Sequence, residues 1–266
     1  MKKTSGFSRI GVIAGILVTV FIVIASILVI DANNKATDYT KYDFFSVIGP
    51  DEHNGNIGDH VKGSPDAPVL IFEYADYQCE YCASMNPRVN AAVGKSDGKL
   101  AIVYRNYLLS YHSNGTAAAS AVLAAGLQNY WKEYADKMFT EQSEWYYATA
   151  STRTDMFVKY FEEVTENKGD VEKFKADMAS DNVSKRINFD MGIGKRLGVP
   201  GTPSFYVDGQ YIDWSNKQGS EITVNGQKIS WDHNLTGAEL TDLLLQITEA
   251  KLAPAPATET TNTTSE

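Results

Sequence analysis

Residues 69–87 read Val69-Leu-Ile-Phe-Glu-Tyr-Ala-Asp-Tyr-Gln-Cys-Glu-Tyr-Cys-Ala-Ser-Met-Asn-Pro87, and they are the part of the sequence that is most informative about the fold. It contains the only two cysteines of the chain, Cys79 and Cys82, in a C-x-x-C pattern. The apolar run Val69–Phe72 predicts a buried strand, Asp76–Gln78 predicts a turn, and the residues from Cys79 onward predict the start of a helix. A C-x-x-C at such a strand–turn–helix junction indicates a redox-active cysteine pair.

The two cysteines are expected to have different roles. Residues three apart near the start of a helix lie on one face, close enough to form a disulfide. Cys79 would lie where unpaired backbone N–H groups and the helix dipole favour negative charge, so its thiolate is stabilised. A thiolate attacks disulfides and is also a good leaving group. Cys79 is therefore predicted to be the more exposed nucleophile, and Cys82 the resolving partner.

Two other uses of the cysteine pair fit the sequence less well. A structural zinc site needs about four ligands, whereas the histidines are scattered singly along the chain, at His53, His60, His112 and His233. A purely structural disulfide would close so short a loop that it would remove little entropy from the unfolded chain. Redox chemistry is the preferred interpretation, and no metal site is predicted.

Two motifs resemble those of the DsbA-like proteins, which have a thioredoxin fold. The first is His60-Val-Lys-Gly-Ser-Pro-Asp-Ala-Pro68 followed by the strand and Tyr77-Gln-Cys-Glu-Tyr-Cys82. It resembles the family's opening, xGxxxAPVxxxEFxDFxCPYC. The second is Gly198-Val-Pro-Gly-Thr-Pro-Ser-Phe-Tyr-Val-Asp-Gly209, which matches the family's cis-proline loop. The resemblance spans about residues 58–250 and departs at Glu80, where the family usually has proline.

The resemblance implies an α/β thioredoxin fold with an inserted helical domain, and it assigns several site residues. Thr202–Pro203 would be the cis peptide beside the disulfide, where proline lacks an N–H and leaves neighbouring backbone groups free to pair with a peptide. Glu73 matches a buried carboxylate that is thought to help proton transfer at the inner cysteine. An ordinary polar residue, satisfied by a backbone or lysine partner, is the alternative interpretation of Glu73. Glu80 and Tyr81 are expected to contact substrate with the proline loop.

Glu80 also bears on the redox potential. A carboxylate beside Cys79 should oppose its thiolate by like-charge repulsion. A less stable thiolate means a less stable reduced form and hence a weaker oxidant. The sequence therefore predicts an oxidant milder than the strongest members of the family.

The composition narrows the classes of function. The chain has 266 residues, and its 43% hydrophobic content is enough to form a substantial core. Its net charge is −9 and its sequence pI is about 5.0, with no basic block after the N-terminus. Nucleic-acid binding therefore has no electrostatic support.

The N-terminal segment indicates export. Ile10–Ile30 is an uncharged apolar run of about the length that crosses a bilayer. Basic residues precede it and Asp31 follows it, which predicts a cytoplasmic N-terminus by the positive-inside rule. A cleaved signal peptide is the alternative, although the run exceeds the usual apolar region of such peptides and no clear cleavage site follows. Under either interpretation the rest of the chain is predicted to lie outside the cytoplasm, where disulfides persist.

The predicted organisation follows the chain from end to end. The segments are a cytoplasmic N-terminus (1–9), a transmembrane anchor (10–30), a tether and loop (31–57), a first thioredoxin-fold part with the C-x-x-C (58–112), an inserted helical domain (113–197), a second thioredoxin-fold part with the cis-proline loop (198–252) and a disordered tail (253–266).

Local patterns predict the elements within these segments. The predicted strands are a first one at Tyr42–Ile48, another at Leu100–Leu108 and a third at Ser204–Val207, with a hairpin around Asn225-Gly226. Asp51–Gly63 is predicted to be a loop, and Thr236 with Glu239 form a capping box for a last helix over Gly237–Leu252. Aromatic and aliphatic residues at helical spacing in the 113–197 segment are predicted to be core. His112 follows the strand at Leu100–Leu108 and could approach the cysteine pair, but it is interpreted as a lone surface histidine.

The sequence thus predicts a membrane-tethered, extracytoplasmic thiol–disulfide oxidoreductase. Its substrates would be exported proteins that contain cysteines, and by family analogy a quinone-linked membrane protein would re-oxidise it. No bound cofactor is implied. A reductase or isomerase fed by a membrane electron donor remains open, because the same motif serves both directions. A binding or chaperone module with a merely structural disulfide is the alternative from a different class.

Overall fold

The computed structural model describes residues 37–213, 220–231 and 238–254, in two units, Met1–Lys41 and Tyr42–Glu266. Of the first unit only residues 37–41 are described, and they include a 3-10 turn at Tyr39–Lys41. The strands of the second unit are β1 (His60–Lys62), β2 (Val69–Ala75), β3 (Leu100–Asn106), β4 (Ser204–Val207), β5 (Gln210–Ile212), β6 (Ser220–Val224) and β7 (Gln227–Trp231). Its helices are α1 (Glu80–Lys95), α2 (Gly115–Gly126), α3 (Trp131–Thr140), α4 (Gln142–Trp145), α5 (Ala150–Val164), α6 (Val171–Met178), α7 (Asp181–Leu197) and α8 (Ala238–Leu252).

A mixed five-stranded sheet forms the centre of the second unit. Its strand order is β1-β3-β2-β4-β5, with β2 and β3 parallel and the other pairs antiparallel. The predicted unit of two parallel strands joined by the cysteine-bearing helix is confirmed, because α1 connects β2 to β3. The α/β fold expected from the resemblance is thereby confirmed as well.

The two central strands are buried on both faces. All seven residues of β3 and six of the seven of β2 are buried, as is typical of parallel strands covered by helices. On one face, Ile71 and Ile102 share a hydrophobic cluster with α1 and α8. On the opposite face, the ring of Phe72 meets that of Phe45 edge-on at 5.9 Å.

The helices between β3 and β4 pack around aromatic side chains, as their spacing predicts. Phe157, Phe161 and Phe174 are each 0% exposed, and the rings of Phe161 and Phe174 stack with their centroids 4.2 Å apart. The apolar pattern from Leu123 to Met138 is divided between α2 and α3. The break falls at Asn129, whose positive φ of 69° ends any continuous helix.

The prediction of a first strand at Tyr42–Ile48 is wrong. This segment forms turns, and its carbonyl groups face a buried arginine instead of a neighbouring strand: Arg105 donates to the carbonyl oxygens of Phe44 (2.6 Å) and Ser46 (3.0 Å). The prediction of a loop over Asp51–Gly63 is also wrong at its end, because His60–Lys62 forms β1 beside β3. Three residues are too few to show an alternating pattern.

A buried ionic cluster fixes the segment before β1 to the rest of the unit. The carboxylate of Asp59 contacts the guanidinium of Arg105 at 2.8 Å and that of Arg186 at 2.6 Å. Arg186 also contacts Asp190 at 2.6 Å, and all four side chains are at most 1% exposed. Because these residues come from the segment before β1, from β3 and from α7, the cluster holds three distant parts of the chain together.

The C-terminal predictions are confirmed where the structure describes them. Strands β6 and β7 flank Asn225 and Gly226, whose positive φ angles of 49° and 75° suit a tight hairpin turn. Helix α8 occupies the expected span from Ala238, whereas Thr236 of the capping box lies outside the described residues. Most of the predicted tail and the whole of the predicted membrane anchor at 10–30 also lie outside them. Within the described ranges, no helix is long and apolar enough to cross a membrane.

Candidate active site

The two cysteines lie at the start of α1. Cys79 is the N-cap residue, with extended backbone angles, and its N–H donates to the carbonyl oxygen of Asp76 at 3.0 Å. Cys82 lies in the first turn of the helix. Both are free thiols, and Cys79 is 4% exposed while Cys82 is 0% exposed. The predicted order of exposure is therefore confirmed, although neither thiol is widely open to solvent.

Local hydrogen bonds favour the thiolate of Cys79. They lower its pKa to about 6, chiefly through the hydrogen bond with the Cys82 side chain, against desolvation, which raises it. Thr202 and the backbone N–H groups of Cys82 and Tyr81 lower the pKa of Cys79 further. Burial, followed by the hydrogen bond and charge of Cys79, raises the pKa of Cys82 well above its usual value. The pair is thus chemically asymmetric at neutral pH.

This asymmetry predicts the pH dependence of alkylation. The rate at which iodoacetamide modifies the reduced protein should reach half its maximum at about pH 6, with Cys79 alone modified. The folded pKa lies below the value of about 8.5 for an unfolded thiol. The thiolate's stabilisation of the reduced protein is therefore complete above about pH 8.5 and is lost as the pH falls through 6. Mass spectrometry of the modified peptide and thermal unfolding of the reduced protein test both statements; an alkylation midpoint near 8.5 would contradict them.

The cis-proline loop lies directly against Cys79. Helix α7 ends at Gly198, whose φ of 66° is the left-handed conformation that glycine adopts most easily. The peptide bond between Thr202 and Pro203 is cis, as the resemblance implies. The thiol of Cys79 donates to the carbonyl oxygen of Thr202 at 3.3 Å. The loop therefore presents backbone groups beside the sulfur atom that would react.

Glu73 lies beneath the cysteine pair, on the interior side of the sheet. It pairs with Tyr104 on β3 and with Phe205 on β4, and it shares its sheet face with Ile71, which packs against α1. Glu73 is 3% exposed. Burial raises its pKa to about 7, Lys62 opposes the shift, and Cys79 adds to it. Glu73 is therefore buried, as the resemblance implies, and its role in proton transfer stays a prediction.

Glu80 and Tyr81 are exposed on the first turn of α1, and the Tyr81 side chain is 65% exposed. The structure thus brings both to the surface around Cys79, where the sequence expected them. Their contact with substrate stays a prediction.

The interpretation of His112 as a lone surface histidine is wrong. Its Nδ1 atom lies 2.8 Å from a carboxylate oxygen of Asp76, and the two side chains are 7% and 0% exposed. The same carboxylate accepts hydrogen bonds from the backbone N–H groups of Gln78 and Leu109, both at 2.9 Å. Asp76 thus joins the turn before Cys79 to the loop that follows β3. Asp76 was assigned only to a turn from the sequence, and nothing in the local pattern marks this long-range pair.

Three buried amides, which sequence reasoning also missed, fix the helical segment to the C-x-x-C turn. Gln142 donates to the carbonyl oxygens of Tyr77 (2.7 Å) and Cys79 (3.0 Å). The side chain of Gln78 donates to the carbonyl oxygen of Tyr146 (2.9 Å) and accepts from the backbone N–H of Asn114 (2.6 Å), and the side chain of Asn114 donates to the same carbonyl oxygen at 3.1 Å. These contacts hold Tyr146 and its neighbour near Cys79. No spacing rule relates Gln142 and Gln78 to acceptors more than 60 residues away, or Asn114 to an acceptor 32 residues away.

Comparison with known proteins identifies what this arrangement is similar to. A family model described as thioredoxin matches residues 55–221. Among curated proteins, the chain is 30% identical over 154 residues to the Na(+)/H(+) antiporter NhaA of Herminiimonas arsenicoxydans, which covers 58% of this chain and 23% of that protein. The chain therefore spans less than a quarter of that relative's length.

Solved structures share the fold. BdbD from Bacillus subtilis in its oxidised form is 17% identical, covers 77% of this chain and 98% of its own, and superposes with a TM-score of 0.54. The alpha-DsbA1 of Wolbachia pipientis is 22% identical, covers 73% of this chain and 94% of its own, and has a TM-score of 0.51. A thioredoxin-like oxidoreductase from Silicibacter pomeroyi DSS-3 gives 22% identity, coverages of 72% and 92%, and a TM-score of 0.51.

Proposed function

The chain belongs to the thioredoxin family, and from that premise we propose that it oxidises paired thiols of substrate proteins to disulfides through Cys79 and Cys82. Its fold is that of the DsbA-like thiol–disulfide oxidoreductases. The observation that carries the proposal is the asymmetry of the pair. Cys79 has a pKa of about 6 at the start of α1, whereas Cys82 is fully buried and its pKa is raised.

The reaction proceeds in two exchanges. A substrate thiolate attacks the Sγ atom of Cys79 in the oxidised pair, so that a substrate–Cys79 disulfide forms and the Cys79–Cys82 bond breaks. Cys82 leaves as a thiolate and takes up a proton. A second substrate thiolate then attacks the substrate sulfur of the mixed disulfide, which releases Cys79 as a thiolate. The substrate loses two electrons as its disulfide forms, and the cysteine pair gains them.

Glu73 supplies and removes the proton at Cys82. A carboxyl group with a pKa of about 7 is partly protonated at neutral pH. It can therefore donate a proton when Cys82 leaves, and accept one when Cys82 must attack during re-oxidation.

The substrate would lie along Thr202 and Pro203, where the proline has no N–H and neighbouring backbone groups remain available to an extended peptide. Exposed tyrosines lie close to the cysteine pair along the chain or beside residues that contact its turn: Tyr81, between the two cysteines, is 65% exposed, and Tyr147, whose ring meets that of Tyr146, is 88% exposed. Such side chains give a peptide flanking the reactive cysteine large, amphipathic surfaces to contact.

The acidity of Cys79 supports oxidation of the substrate as the direction of electron flow. Its pKa of about 6 lies between the values of about 7 for thioredoxin and about 3.5 for DsbA. Since a more stable thiolate favours the reduced form, the pair would be a mild oxidant, with a potential between about −270 and about −120 mV.

The proposal also covers substrates, location and partner. The substrates would be exported proteins that contain cysteines, and residues 10–30 would anchor the chain in the cell membrane. A membrane redox partner would re-oxidise the cysteine pair.

The test is the reduction potential of the full-length protein in glutathione buffers, together with the oxidation of a reduced, unfolded protein. A potential clearly above about −270 mV and below about −120 mV, with net oxidation of that protein, is the expected result. A value near −270 mV, like that of thioredoxin, would contradict the proposal and favour a reductase or isomerase fed by an electron donor. A Cys79→Ser variant that retains all of the protein's activity would instead favour a binding or chaperone module.

Glu80→His is expected to raise the reduction potential of the pair. The substitution replaces a carboxylate beside Cys79 with a group that can carry positive charge, so the thiolate and the reduced form become more stable. An increase of about 30 mV would correspond to about 1.4 kcal/mol. Glu80→Gln is the matched control and should give a smaller increase, since it removes the negative charge without adding a positive one. A potential that is unchanged or lower in Glu80→His would contradict the role of Glu80.

A further inference from the structure

A buried lysine lies near Glu73 and belongs to a compact polar group. The ammonium of Lys62 donates to the side-chain oxygens of Asn86, Asn90 (3.0 Å) and Asp136 (2.9 Å), and its side chain is 2% exposed. The same oxygen of Asp136 accepts hydrogen bonds from the amides of Asn86 and Asn90, both at 2.9 Å. This Lys62 network therefore connects β1, α1 and α3.

The network begins one helical turn below the inner cysteine. Cys82, Asn86 and Asn90 are spaced by four residues in α1, so they lie along one face of the helix. Asp136, at the other end of the network, is 27% exposed. A hydrogen bond thus connects Asn86, one turn after Cys82, to the carboxylate of Asp136, which is partly exposed to solvent.

Strand register places Glu73 on the same side of the sheet as Lys62. Lys62 pairs with Ile102 on β3, which pairs with Ile71 on β2, two residues from Glu73. Paired residues, and residues two apart in a strand, point to one face. Six titratable groups interact electrostatically with Glu73. They are Lys62 on β1, Tyr77 in the turn before α1, Cys79 and Cys82 at the start of α1, Tyr104 on β3 and Asp136 on α3. Among these, Lys62 is the cation that favours the ionised form of Glu73.

We propose that Lys62 and Asp136 are positioning residues that act through Glu73, opposing each other in setting how readily Glu73 takes the proton of Cys82. The inference rests on the proposed function, because it assumes that Cys82 exchanges a proton during disulfide exchange. Lys62 stabilises the Glu73 carboxylate and so favours proton acceptance from Cys82. Asp136 holds the lysine in place and at the same time opposes that carboxylate by like-charge repulsion.

The step that isolates this effect is the resolution of a mixed disulfide on Cys79. Reduced protein mixed with dithiobis(nitrobenzoate) first forms a Cys79–thionitrobenzoate disulfide and releases one thionitrobenzoate. Glu73 then takes the proton of Cys82, and the Cys82 sulfur attacks Cys79. The Cys79–Cys82 bond forms, the mixed disulfide breaks, and a second thionitrobenzoate leaves as a coloured thiolate. Stopped-flow absorbance records this second phase, whose rate is independent of reagent concentration.

The two partners of Glu73 should shift the pH midpoint of the second phase in opposite directions. The wild-type midpoint is expected at or somewhat below 7, because Cys79 carries no charge in the mixed disulfide. Lys62→Met should raise it by about one pH unit, which slows the second phase about fivefold at neutral pH. Asp136→Asn should lower it by about half a unit. The first phase, which reports Cys79, should be unchanged in both variants.

Controls separate this role from a structural one. Lys62→Arg keeps the positive charge and should keep the midpoint, whereas Lys62→Met in a Glu73→Gln background should cause no further shift. Lys132→Met is a matched control, because Lys132 contacts Asp136 at 3.7 Å from a side chain that is 55% exposed, where solvent screens its charge. Its midpoint should equal that of the wild type.

The outcomes are distinguishable. Shifts of opposite sign in Lys62→Met and Asp136→Asn, absent without Glu73, support the inference. Equal midpoints in all variants, or shifts of one sign that persist in Glu73→Gln, would overturn it while leaving the proposed function intact. A wild-type protein that releases only one thionitrobenzoate would overturn the proposed function, and the inference would fall with it.

Discussion

Cys82→Ala is expected to accumulate a stable mixed disulfide on Cys79, whereas Cys79→Ala should lose thiol–disulfide exchange by about a thousandfold or more. The reason is the asymmetry of the pair. Cys79 is the thiol with a pKa of about 6, and Cys82 is 0% exposed beneath it. When Cys79 attacks oxidised glutathione, a Cys79–glutathione bond forms and one glutathione thiolate leaves. Without Cys82 no thiol in the protein can resolve that bond.

Mass spectrometry of the two variants after incubation with oxidised glutathione measures the adduct directly. A single glutathione is expected on Cys82→Ala and essentially none on Cys79→Ala at pH 7, since burial raises the pKa of Cys82 well above its usual value. Wild-type protein is the control and should end as the Cys79–Cys82 disulfide. Equal adduct on the two variants would show that the cysteines are interchangeable, and the assignment of the nucleophile would be abandoned.

Asp59→Ala is expected to destabilise the protein by about 3 to 5 kcal/mol, a large part of the stability of a typical domain. The carboxylate contacts the guanidinium groups of Arg105 and Arg186 at 2.8 and 2.6 Å, and it is 0% exposed. Removing the Asp59 carboxylate leaves the guanidinium groups of Arg105 and Arg186 buried, with Asp190 as the remaining carboxylate of the cluster. Denaturant unfolding monitored by circular dichroism measures the free-energy difference.

A surface ion pair is the matched control. Asp177 pairs with Lys173 on α6, where the lysine is 48% exposed, so Asp177→Ala should cost no more than about 1 kcal/mol. An equally small effect of Asp59→Ala would contradict the role given to the buried ionic cluster. Burial raises the pKa of Asp59, but the charges of Arg186 and Arg105 outweigh it and hold the pKa below its usual value. The stability from this carboxylate is therefore present above about pH 4 and lost as the pH falls through the folded pKa.

The sequence is sufficient for those parts of the fold and site that local patterns encode. Val69–Phe72 and Leu100–Val103 are continuous apolar runs within β2 and β3, and such runs are typical of strands that are buried on both faces. Cys79 and Cys82 carry their chemistry in their spacing and in the helix that follows them. The cis peptide bond before Pro203 could be predicted only from the family motif, because a proline in an arbitrary sequence is far more often preceded by a trans than by a cis peptide bond.

The remainder depends on contacts between residues that are far apart in the chain. Asp76 and His112 are separated by 36 residues, and Lys62 and Asp136 by 74. Each is an ordinary polar residue in its own neighbourhood, and only the folded chain shows that it is paired. The strand predicted at Tyr42–Ile48 was wrong for the same reason, since its carbonyl groups are used by Arg105 from β3.

The buried ionic cluster also sets a time at which the fold can be completed during synthesis. Asp59 and Arg186 are 127 residues apart, and chains grow at roughly 5 to 20 residues per second. Arg186 is therefore synthesised roughly 6 to 25 s after Asp59. Cys79 and Cys82 emerge near the beginning of that interval, before the helices that bury them exist. The residues of the 115–197 segment that share a hydrophobic cluster with the two thiols are therefore all synthesised after them.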